Sequence, residues 1–224
     1  MGKLESIRKA CEINDLIFRE IVENFNFKTE KKLTSYILKR FKDFDVQKAY
    51  SPIVANNNSI IHAKPRAHKF TNGFLVLDFG CKVNGWCSDM TRTIFMGRAN
   101  SDERKLYNLV LNCQLKCAFK VKAGVSCFEL EVLSRRLLGD YRKYYSHRLG
   151  HGIGRKVHEK PEFGSLSVDI LKENDFVTIE PGIYIKNKKK NFAIRIEDTI
   201  YVGKNRSEIL CNSSKKLIEI EKIA

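Results

Sequence analysis

The chain has 224 residues, of which 43% are hydrophobic and 30% are charged. This length can bury one sizeable core but is short for two independent domains. No stretch approaches the roughly 18 consecutive apolar residues of a membrane helix, and the N-terminus lacks the apolar centre of a signal peptide. The seven cysteines form no CxxC pair, which argues against a zinc finger or a small disulfide scaffold and predicts a soluble cytoplasmic protein with reduced thiols.

The net charge of +15 favours attraction to polyanions, so RNA, a ribosome or an acidic protein stays open as a partner. The lysines are nevertheless spread along the whole chain, and the densest run lies at positions 186–190. A short basic run between two apolar segments is typical of a solvated hairpin tip. Charge alone therefore does not establish nucleic-acid binding.

The first part of the chain shows the periodicity of two amphipathic helices. Apolar residues recur at steps of three and four from Leu4 to Asn24, and again from Leu33 to Phe41. After Pro52 the sequence changes to short apolar runs separated by Asn and Gly, which is typical of strands joined by turns. A sheet is predicted to begin there.

Two capping signals mark the next helices. Ser101, followed by two acidic residues, predicts the start of a helix that continues to about Lys120. Ser126 and Glu129 form a capping box for a helix that ends near Leu138. Strand-like patterns then return.

The order of these elements predicts an α+β domain in which helices cover one face of a mainly antiparallel sheet. We expect a single domain over residues 1–224, with N-terminal helices at about 4–43 and the catalytic strands and helices at about 51–203. This length leaves no room for a separate N-terminal domain.

Asn84–Gly85 is a strong hairpin signal, because a two-residue turn needs the positive φ angles that Asn and Gly tolerate. With these residues at the turn, Asp78 pairs with Thr91, and Gly80 lies opposite Asp89. Asp78 and Asp89 are then diagonal neighbours about 7–8 Å apart at the backbone, which allows their side chains to converge.

Asp78 also ends the apolar run 74–77, where a buried carboxylate without a partner would be costly. The alternative is a polar hairpin face with solvated acids. We favour a metal site, because bound cations would offset the cost of burying both aspartates.

Three of the five histidines lie between positions 147 and 158. Alternating glycines argue against a helix here, and strand alternation predicts that His147, Leu149, His151 and Ile153 share one face. Glycine beside a donor residue allows close approach of a substrate or another strand. The alternative for each histidine, including His158, is an ordinary structural role.

Two glutamates complete the set of candidates. Glu180 follows an apolar strand and precedes Pro181–Gly182, which places its carboxylate at the rim of the sheet. Glu197 shares a strand face with Arg195, which could orient acidic ligands from behind. The alternative for this face is an amphipathic strand with an ion pair.

Taken together, these side chains form a ligand set for two hard or borderline divalent ions, and such a pair can hold a hydroxide nucleophile at neutral pH. The sequence therefore predicts a metallohydrolase. The five candidate ligands are Asp78, Asp89, His151, Glu180 and Glu197.

Five blocks of the sequence, in this order, resemble the pita-bread metallopeptidases. The resemblance covers essentially the whole chain and implies a curved, mainly antiparallel sheet with helices packed on its outer face around a dinuclear site. The blocks are 77–80, 87–93, 150–159, 178–184 and 194–198.

The resemblance also implies a role for each ligand. Asp78 would chelate one ion, and Asp89 and Glu197 would bridge both ions. His151 and Glu180 would bind the other ion. The resemblance implies two divalent ions, with Mn²⁺ as the first choice and Co²⁺, Zn²⁺ or Fe²⁺ as alternatives.

The implied reaction cuts the bond after the N-terminal residue of a peptide with a free N-terminus. Glu180 would carry the proton of the hydroxide nucleophile to the leaving nitrogen. His158 and His62 would contact the substrate and the tetrahedral intermediate. These three are the candidate catalytic residues.

Within the family, the segment 147–151 with Tyr184 and Arg195 is similar to the proline-processing branch, aminopeptidase P and prolidase. His147, Tyr184 and Arg195 are therefore candidate substrate-binding residues. Members of that branch generally carry an additional N-terminal domain that helps to define substrate length, so the preferred peptide length stays open.

The resulting hypothesis is hydrolysis of an Xaa-Pro bond. The enzyme alternative is a methionine aminopeptidase, and the alternative of another class is a basic pita-bread binding module for RNA, a ribosome or an acidic protein. A homodimer is also possible within this hypothesis.

Overall fold

The computed structural model describes residues 1–187 and 190–221. Four α-helices and one 3₁₀ helix account for its helical part. Their bounds are α1 Lys3–Glu23, α2 Glu30–Asp43, α3 Ser101–Lys120, α4 Cys127–Leu138 and the 3₁₀ helix Gly139–Tyr144.

The start of α3 differs from the prediction by one residue. Asn100, not Ser101, is the N-cap, because its side-chain oxygen accepts hydrogen bonds from the backbone N–H groups of Asp102 and Glu103. The Glu103 carboxylate in turn accepts from the Asn100 N–H at 2.8 Å. Ser101 is then the first helical residue. The predicted cap of α4 by Ser126 is confirmed.

Most strands pair in antiparallel fashion. The strands are β1 Gln47–Lys48, β2 Ile53–Asn56, β3 Gly73–Phe79, β4 Cys81–Val83, β5 Trp86–Cys87, β6 Met90–Met96, β7 His151–Gly152, β8 Glu159–Glu162, β9 Phe176–Ile179, β10 Gly182–Lys186, β11 Asn191–Arg195, β12 Asp198–Val202, β13 Ser207–Ile209 and β14 Glu219–Ile220. A five-stranded sheet has the order β13-β12-β9-β7-β8, and a four-stranded sheet has the order β14-β6-β3-β2 with β14 parallel to β6. The strands β1-β4-β5 and β10-β11 form smaller sheets.

Two hydrophobic clusters lie between the helices and the sheets. Side chains of α1 and α2, such as Ile17 and Ile37, pack with Leu77 of β3. Side chains of α3 and α4, such as Val110, pack with Ile179 of β9. The seven cysteines are all buried and free.

The predicted hairpin is confirmed in register. Asn84 and Gly85 have φ angles of 50° and 77°, Val83 pairs with Trp86, and Asp78 pairs with Thr91. At the other basic hairpin, β10 and β11 pair up to Lys186 and Asn191. Positions 188 and 189 of the predicted basic tip lie outside the described residues.

The segment 147–153 is not the regular strand that the alternating pattern predicts, because only His151 and Gly152 are in a strand. A Cβ atom on Gly150 would collide with the Thr178 carbonyl, so the chain runs tightly against β9 here. Leu149 and Ile153 enter different hydrophobic clusters. The prediction that the four residues share one face is therefore wrong.

The four-stranded and five-stranded sheets meet beside the predicted ligands. The Glu197 N–H donates to the Thr91 carbonyl at 3.0 Å, which bridges β6 to the residue before β12. The Asp89 N–H donates to the Thr199 hydroxyl at 3.1 Å, and that hydroxyl donates to the Asp89 carbonyl at 2.7 Å. These bonds fix acidic residues from both sheets next to one another.

Candidate metal centre

Asp78 and Asp89 converge, as the hairpin register predicts. The hydroxyl of Tyr50 lies 2.5 Å from Asp78 Oδ1 and is also within hydrogen-bond distance of Asp89 Oδ1. A phenol carries one proton, so it can donate to only one of these oxygens at a time. Sequence analysis missed Tyr50, because its position before β2 gives no local sign that it lies between two distant aspartates.

Asp89, His151 and Glu197 form the tightest group of possible ligands, with one ligand atom from each lying within 4.8 Å of the others. His151 Nε2 also lies 3.4 Å from Glu180 Oε1 and 3.7 Å from Asp89 Oδ2. The geometry thus brings together residues from β7, from the ends of β9 and β11, and from the segment between β5 and β6.

Burial destabilises the charged forms of three of these carboxylates. Burial raises the pKa of Asp89 well above its ordinary value, and the charges of Glu197 and Asp78 raise it further. Burial and the charge of Asp78 raise the pKa of Glu197 to about 8. Burial and the charge of Glu197 also raise the pKa of Glu180. A nearby cation would relieve this cost.

The imidazole of His151 is suited to bind a cation. Burial lowers its pKa to about 4, and the neighbouring His158 adds to this effect, so the ring is neutral at pH 7. His151 Nδ1 lies 3.1 Å from the Gly152 carbonyl. A proton on Nδ1 would donate to that carbonyl and leave the lone pair of Nε2 facing the carboxylates.

One buried oxygen provides a direct test of the fit to a metal ion. Thr91 donates a hydrogen bond of 2.6 Å to Glu197 Oε2, but Glu197 Oε1 is buried and has no hydrogen-bond partner in the described part of the chain. Buried acceptors without partners are rare and costly. This oxygen, the neutral imidazole and the excess of carboxylates fit divalent cations with oxygen and nitrogen ligands.

A hydrogen-bond network leads away from the acidic cluster. Arg195 pairs with Asp78 through Nη2 and donates from Nη1 to the Tyr184 hydroxyl at 2.7 Å. The Tyr184 hydroxyl lies 2.9 Å from His147 Nε2, and His147 Nδ1 lies 3.9 Å from Glu180 Oε2. Burial lowers the pKa of His147 to about 3, with the charge of Arg195 adding to the effect, so Nε2 can accept the Tyr184 proton.

All but one of the predicted site residues line a cavity of about 900 Å³. His62 and His158 lie on its wall, and the ring of His158 is 4.3 Å from that of His151. Tyr184 does not line the cavity, since it is buried behind Arg195 and His147. The structure therefore places Tyr184 where it can position those two side chains.

A second buried charge cluster supports the centre from behind and was not predicted. Asp198 accepts hydrogen bonds from Arg92 at 2.7 Å, from Gln114 at 2.7 Å and from Lys215 at 2.5 Å. Arg92 also donates to the Glu197 carbonyl at 2.5 Å. These partners come from separate elements, so no local pattern could have indicated the cluster.

Comparison with known proteins gives a family match. The sequence model of metallopeptidase family M24 matches residues 5–204 of this chain. An Xaa-Pro dipeptidase of Pyrococcus horikoshii is 34% identical over 223 residues, which cover 96% of this chain and 63% of that protein.

Solved structures show the same similarity. An Xaa-Pro dipeptidase from Bacillus anthracis has a TM-score of 0.92 and 31% identity, and the match covers 97% of this chain and 62% of that chain. An X-Pro aminopeptidase from Thermotoga maritima has a TM-score of 0.91 and 29% identity, with 98% and 63% covered. The chain thus spans less than two thirds of the length of these relatives.

Proposed function

The chain belongs to metallopeptidase family M24, and we therefore propose that it hydrolyses the bond between an N-terminal residue and a following proline. The observation that carries the proposal is the group of Asp89, His151 and Glu197 in the wall of a large cavity, with one buried Glu197 oxygen unpartnered in the described residues. The names of the relatives reported above favour proline specificity over a methionine aminopeptidase.

We propose that the centre holds two divalent ions, with Mn²⁺ as the first candidate. When bound, such ions lower the pKa of water toward about 7 and polarise the carbonyl of the bond to be cut. The proposed ligands are the four carboxylates and one imidazole predicted above, Asp78, Asp89, His151, Glu180 and Glu197.

We propose that Glu180 moves the proton that hydrolysis requires. Its two carboxylate oxygens face the imidazoles of His151 at 3.4 Å and His147 at 3.9 Å. In the proposed reaction, Glu180 accepts a proton from the attacking water and returns it to the leaving nitrogen of proline. Without that return the amine would leave as an unstable anion.

His158 and His62 would stabilise the oxygen that becomes negatively charged when the carbonyl is attacked. Both line the cavity beside the acidic cluster, and an imidazole N–H can donate to such an oxygen. His147, held by the Tyr184 hydroxyl at 2.9 Å, and Arg195 would orient the substrate around the proline. Tyr184 would act as a positioning residue for both.

The cavity lining also contains apolar residues that suit a proline ring. They are Pro52, Ile53, Ile61, Ala63 and Val157, and they can exclude water from a ring without polar atoms. The free N-terminal amine of the substrate would lie toward the carboxylates, whose charge complements it. The proposed substrate is therefore a peptide with a free N-terminus and proline in second place.

The proposal is tested with purified protein loaded with Mn²⁺. It should cleave Ala-Pro-Ala and leave Met-Ala-Ser intact, and D89A should lose turnover while D102A, an exposed aspartate of α3, should keep it. Cleavage of Met-Ala-Ser with Ala-Pro-Ala intact would favour a methionine aminopeptidase. Turnover that survives D89A would contradict the metal mechanism.

We propose that residues 1–224 act as one catalytic domain. We also propose that the protein forms a homodimer and acts in the cytoplasm. No helix among the described residues has both the length and the apolar character needed to cross a membrane. RNA, a ribosome or an acidic protein is the alternative partner class, which the net charge of +15 keeps open.

A salt titration tests this alternative partner class, because binding to a polyanion weakens steeply as salt rises. The expected result for the peptidase proposal is weak RNA binding at low salt that disappears near physiological salt. Tight binding that persists in physiological salt would instead assign the charge to a binding function.

A further inference from the structure

A second, smaller cavity of about 320 Å³ adjoins the main cavity. The two share part of their lining, formed by Ser146, His147, Arg148 and Glu162. The loop 163–167 also lines the second cavity. A ligand that outgrows the main cavity could therefore extend into the second.

The shared wall lies next to the proposed reaction centre. His147 Nδ1 is 3.9 Å from Glu180 Oε2, and the Glu180 N–H donates to the Leu149 carbonyl at 2.7 Å. Arg148 thus stands between two residues that both contact Glu180. An extended peptide advances about 3.4 Å per residue, so a peptide leaving the cut bond along this wall meets Arg148 within a few residues.

Arg148 is built into the wall at its base and exposed at its tip. Its side chain runs over Gly164, where a Cβ atom would be 3.5 Å from Nε and 3.6 Å from Cδ. Its Nη1 donates to Glu162 Oε2 at 2.8 Å, and the two side chains are 62% and 55% exposed. Exposed ion pairs contribute little to stability, so Glu162 can be exchanged for another carboxylate.

The other charges of the second cavity are already engaged. Arg135 donates from Nε to Glu131 Oε1 at 2.6 Å and from its two terminal nitrogens to the carbonyls of Tyr145 and His147 at 3.3 Å. Glu131 Oε2 accepts from the Leu149 N–H at 2.7 Å. A guanidinium has five N–H donors, and within the described residues Arg148 uses one side-chain donor, toward Glu162.

We propose that Arg148 binds a carboxylate on the part of the peptide beyond the proline, with the second cavity as the place where that part lies. The carboxylate displaces Glu162 from the guanidinium and forms a bidentate pair. This inference rests on the proposed function and deepens it, because it assigns peptides longer than a dipeptide, with an anionic end or side chain, as preferred substrates.

The test compares two variants that break the same ion pair. R148A removes the receptor for the carboxylate, and E162A removes its competitor. For Ala-Pro-Ala with a free carboxylate, R148A should raise KM about tenfold with kcat little changed, whereas E162A should lower KM. A merely structural ion pair predicts that the two variants change KM in the same direction, and that result would overturn the proposal.

Matched peptides identify the source of the carboxylate. The free acid and the amide of Ala-Pro-Ala test the chain end, and the amides of Ala-Pro-Asp and Ala-Pro-Asn test a side chain. The effect of R148A should be confined to peptides with a carboxylate. An equal effect on all four peptides would also overturn the proposal.

The control is R98A, which breaks another exposed ion pair, with Glu221, outside both cavities and should leave every KM unchanged. A melting curve for each variant shows that it is folded. Pro-Asp, the product released from Ala-Pro-Asp, has no Xaa-Pro bond to be cut. Calorimetric measurement of its binding to wild type and R148A therefore tests the same contact without turnover. If wild type cleaves no peptide, the proposed function fails, while weaker binding of Pro-Asp to R148A still supports the carboxylate contact and equal binding refutes it.

Discussion

The hydroxyl of Thr91 holds one oxygen of the Glu197 carboxylate at 2.6 Å, and it also accepts a hydrogen bond from Arg195 Nε at 3.1 Å. The Thr91 side chain thus orients both the Glu197 carboxylate, a proposed ligand, and the Arg195 guanidinium, which pairs with Asp78. Loss of such an orienting group typically costs about 10–100-fold in metal affinity or activity. Thr91 should therefore affect metal binding although it is not itself a proposed ligand.

Thr91→Val keeps the shape of the side chain but removes the hydroxyl. We expect about tenfold weaker Mn²⁺ binding, because Glu197 loses its fixed orientation and both of its oxygens are left without a donor. Calorimetric titration of the metal-free protein measures the affinity.

Thr93→Val is the matched control, since the Thr93 hydroxyl is also buried but, within the described residues, bonds only the backbone of Arg195, at 2.8 Å and 3.1 Å. T93V should lower stability with little change in metal affinity. Equal loss of affinity in both variants would show that the effect comes from the strand and not from the orientation of Glu197.

The pKa of Glu197 predicts how the metal-free protein responds to pH. Its value of about 8 lies above the ordinary 4.5, so the folded chain holds this proton more tightly than the unfolded chain. The stabilisation is present at low pH and is lost as pH rises toward the folded pKa. Relative to E197Q, the chelator-treated wild type should lose stability between pH 4.5 and about 8.

Denaturant unfolding of the two proteins at several pH values measures this difference, which should be on the order of a few kcal/mol. E197Q cannot titrate at this position, so it cancels the contributions of distant groups. A constant difference across the range would show that Glu197 titrates normally in the folded protein. Mn²⁺ should reduce the pH dependence, because a bound cation stabilises the carboxylate.

Among the strands, β7 and β9 approach one another through Gly150, where an added Cβ would meet the Thr178 carbonyl. Gly150→Ala must push the segment that carries His151 away from β9. We expect a loss of about 1–3 kcal/mol in stability together with weaker metal binding, measured by denaturant unfolding and calorimetry. Gly2→Ala is the control, because nothing lies within 4 Å of a Cβ at that position.

The two outcomes of G150A separate packing from function. A stable protein with unchanged metal affinity would mean that the backbone at position 150 can adjust without changing the position of the His151 imidazole. Loss of both properties would show that the spacing between the two strands sets the position of the imidazole.

Elements defined by local chemistry could be predicted, whereas contacts over long sequence separations could not. The Asn84–Gly85 turn fixes its own register, so the sequence predicts that Asp78 and Asp89 converge. The segment 147–153 escapes prediction, because its glycines reflect close approach to β9 and not a regular strand. Tyr50 escapes for the same reason, since its two partners are 28 and 39 residues away.

The proposed ligands could be predicted from their residue types and from the order of the sequence blocks that contain them. Four acids and one histidine of the right types occur in five blocks, and all five line one cavity. The residues that support these ligands could not be predicted from the sequence. The partners of Asp198, for example, come from β6, α3 and the segment before β14, and only the folded chain shows that they surround it.

For the protein as a whole, a metal ion should contribute strongly to stability, because the centre contains four carboxylates against the one guanidinium of Arg195. A ligand present at 1,000 times its dissociation constant stabilises the folded state by about 4 kcal/mol. For a chain of this length, each kcal/mol shifts Tm by about 2–4 °C.

Removal of metal by a chelator should therefore lower Tm by about 8–16 °C, and Mn²⁺ should restore it. Differential scanning calorimetry measures the shift, with D89A as a variant that should show a smaller one. An unchanged Tm after complete metal removal, verified by elemental analysis, would mean that the carboxylates are not held by a cation at all.

The junction between the two large sheets has a consequence for the motions of the protein. Asp78 and Asp89 belong to the first half of the chain, whereas His151, Glu180 and Glu197 belong to the second. Cations bound by both halves would add a further link across this junction, which backbone and hydroxyl bonds and the buried pairs Arg92–Asp198 and Arg195–Asp78 already hold. Activity and stability would then be lost together, because any change that separates the two sheets also separates the proposed metal ligands.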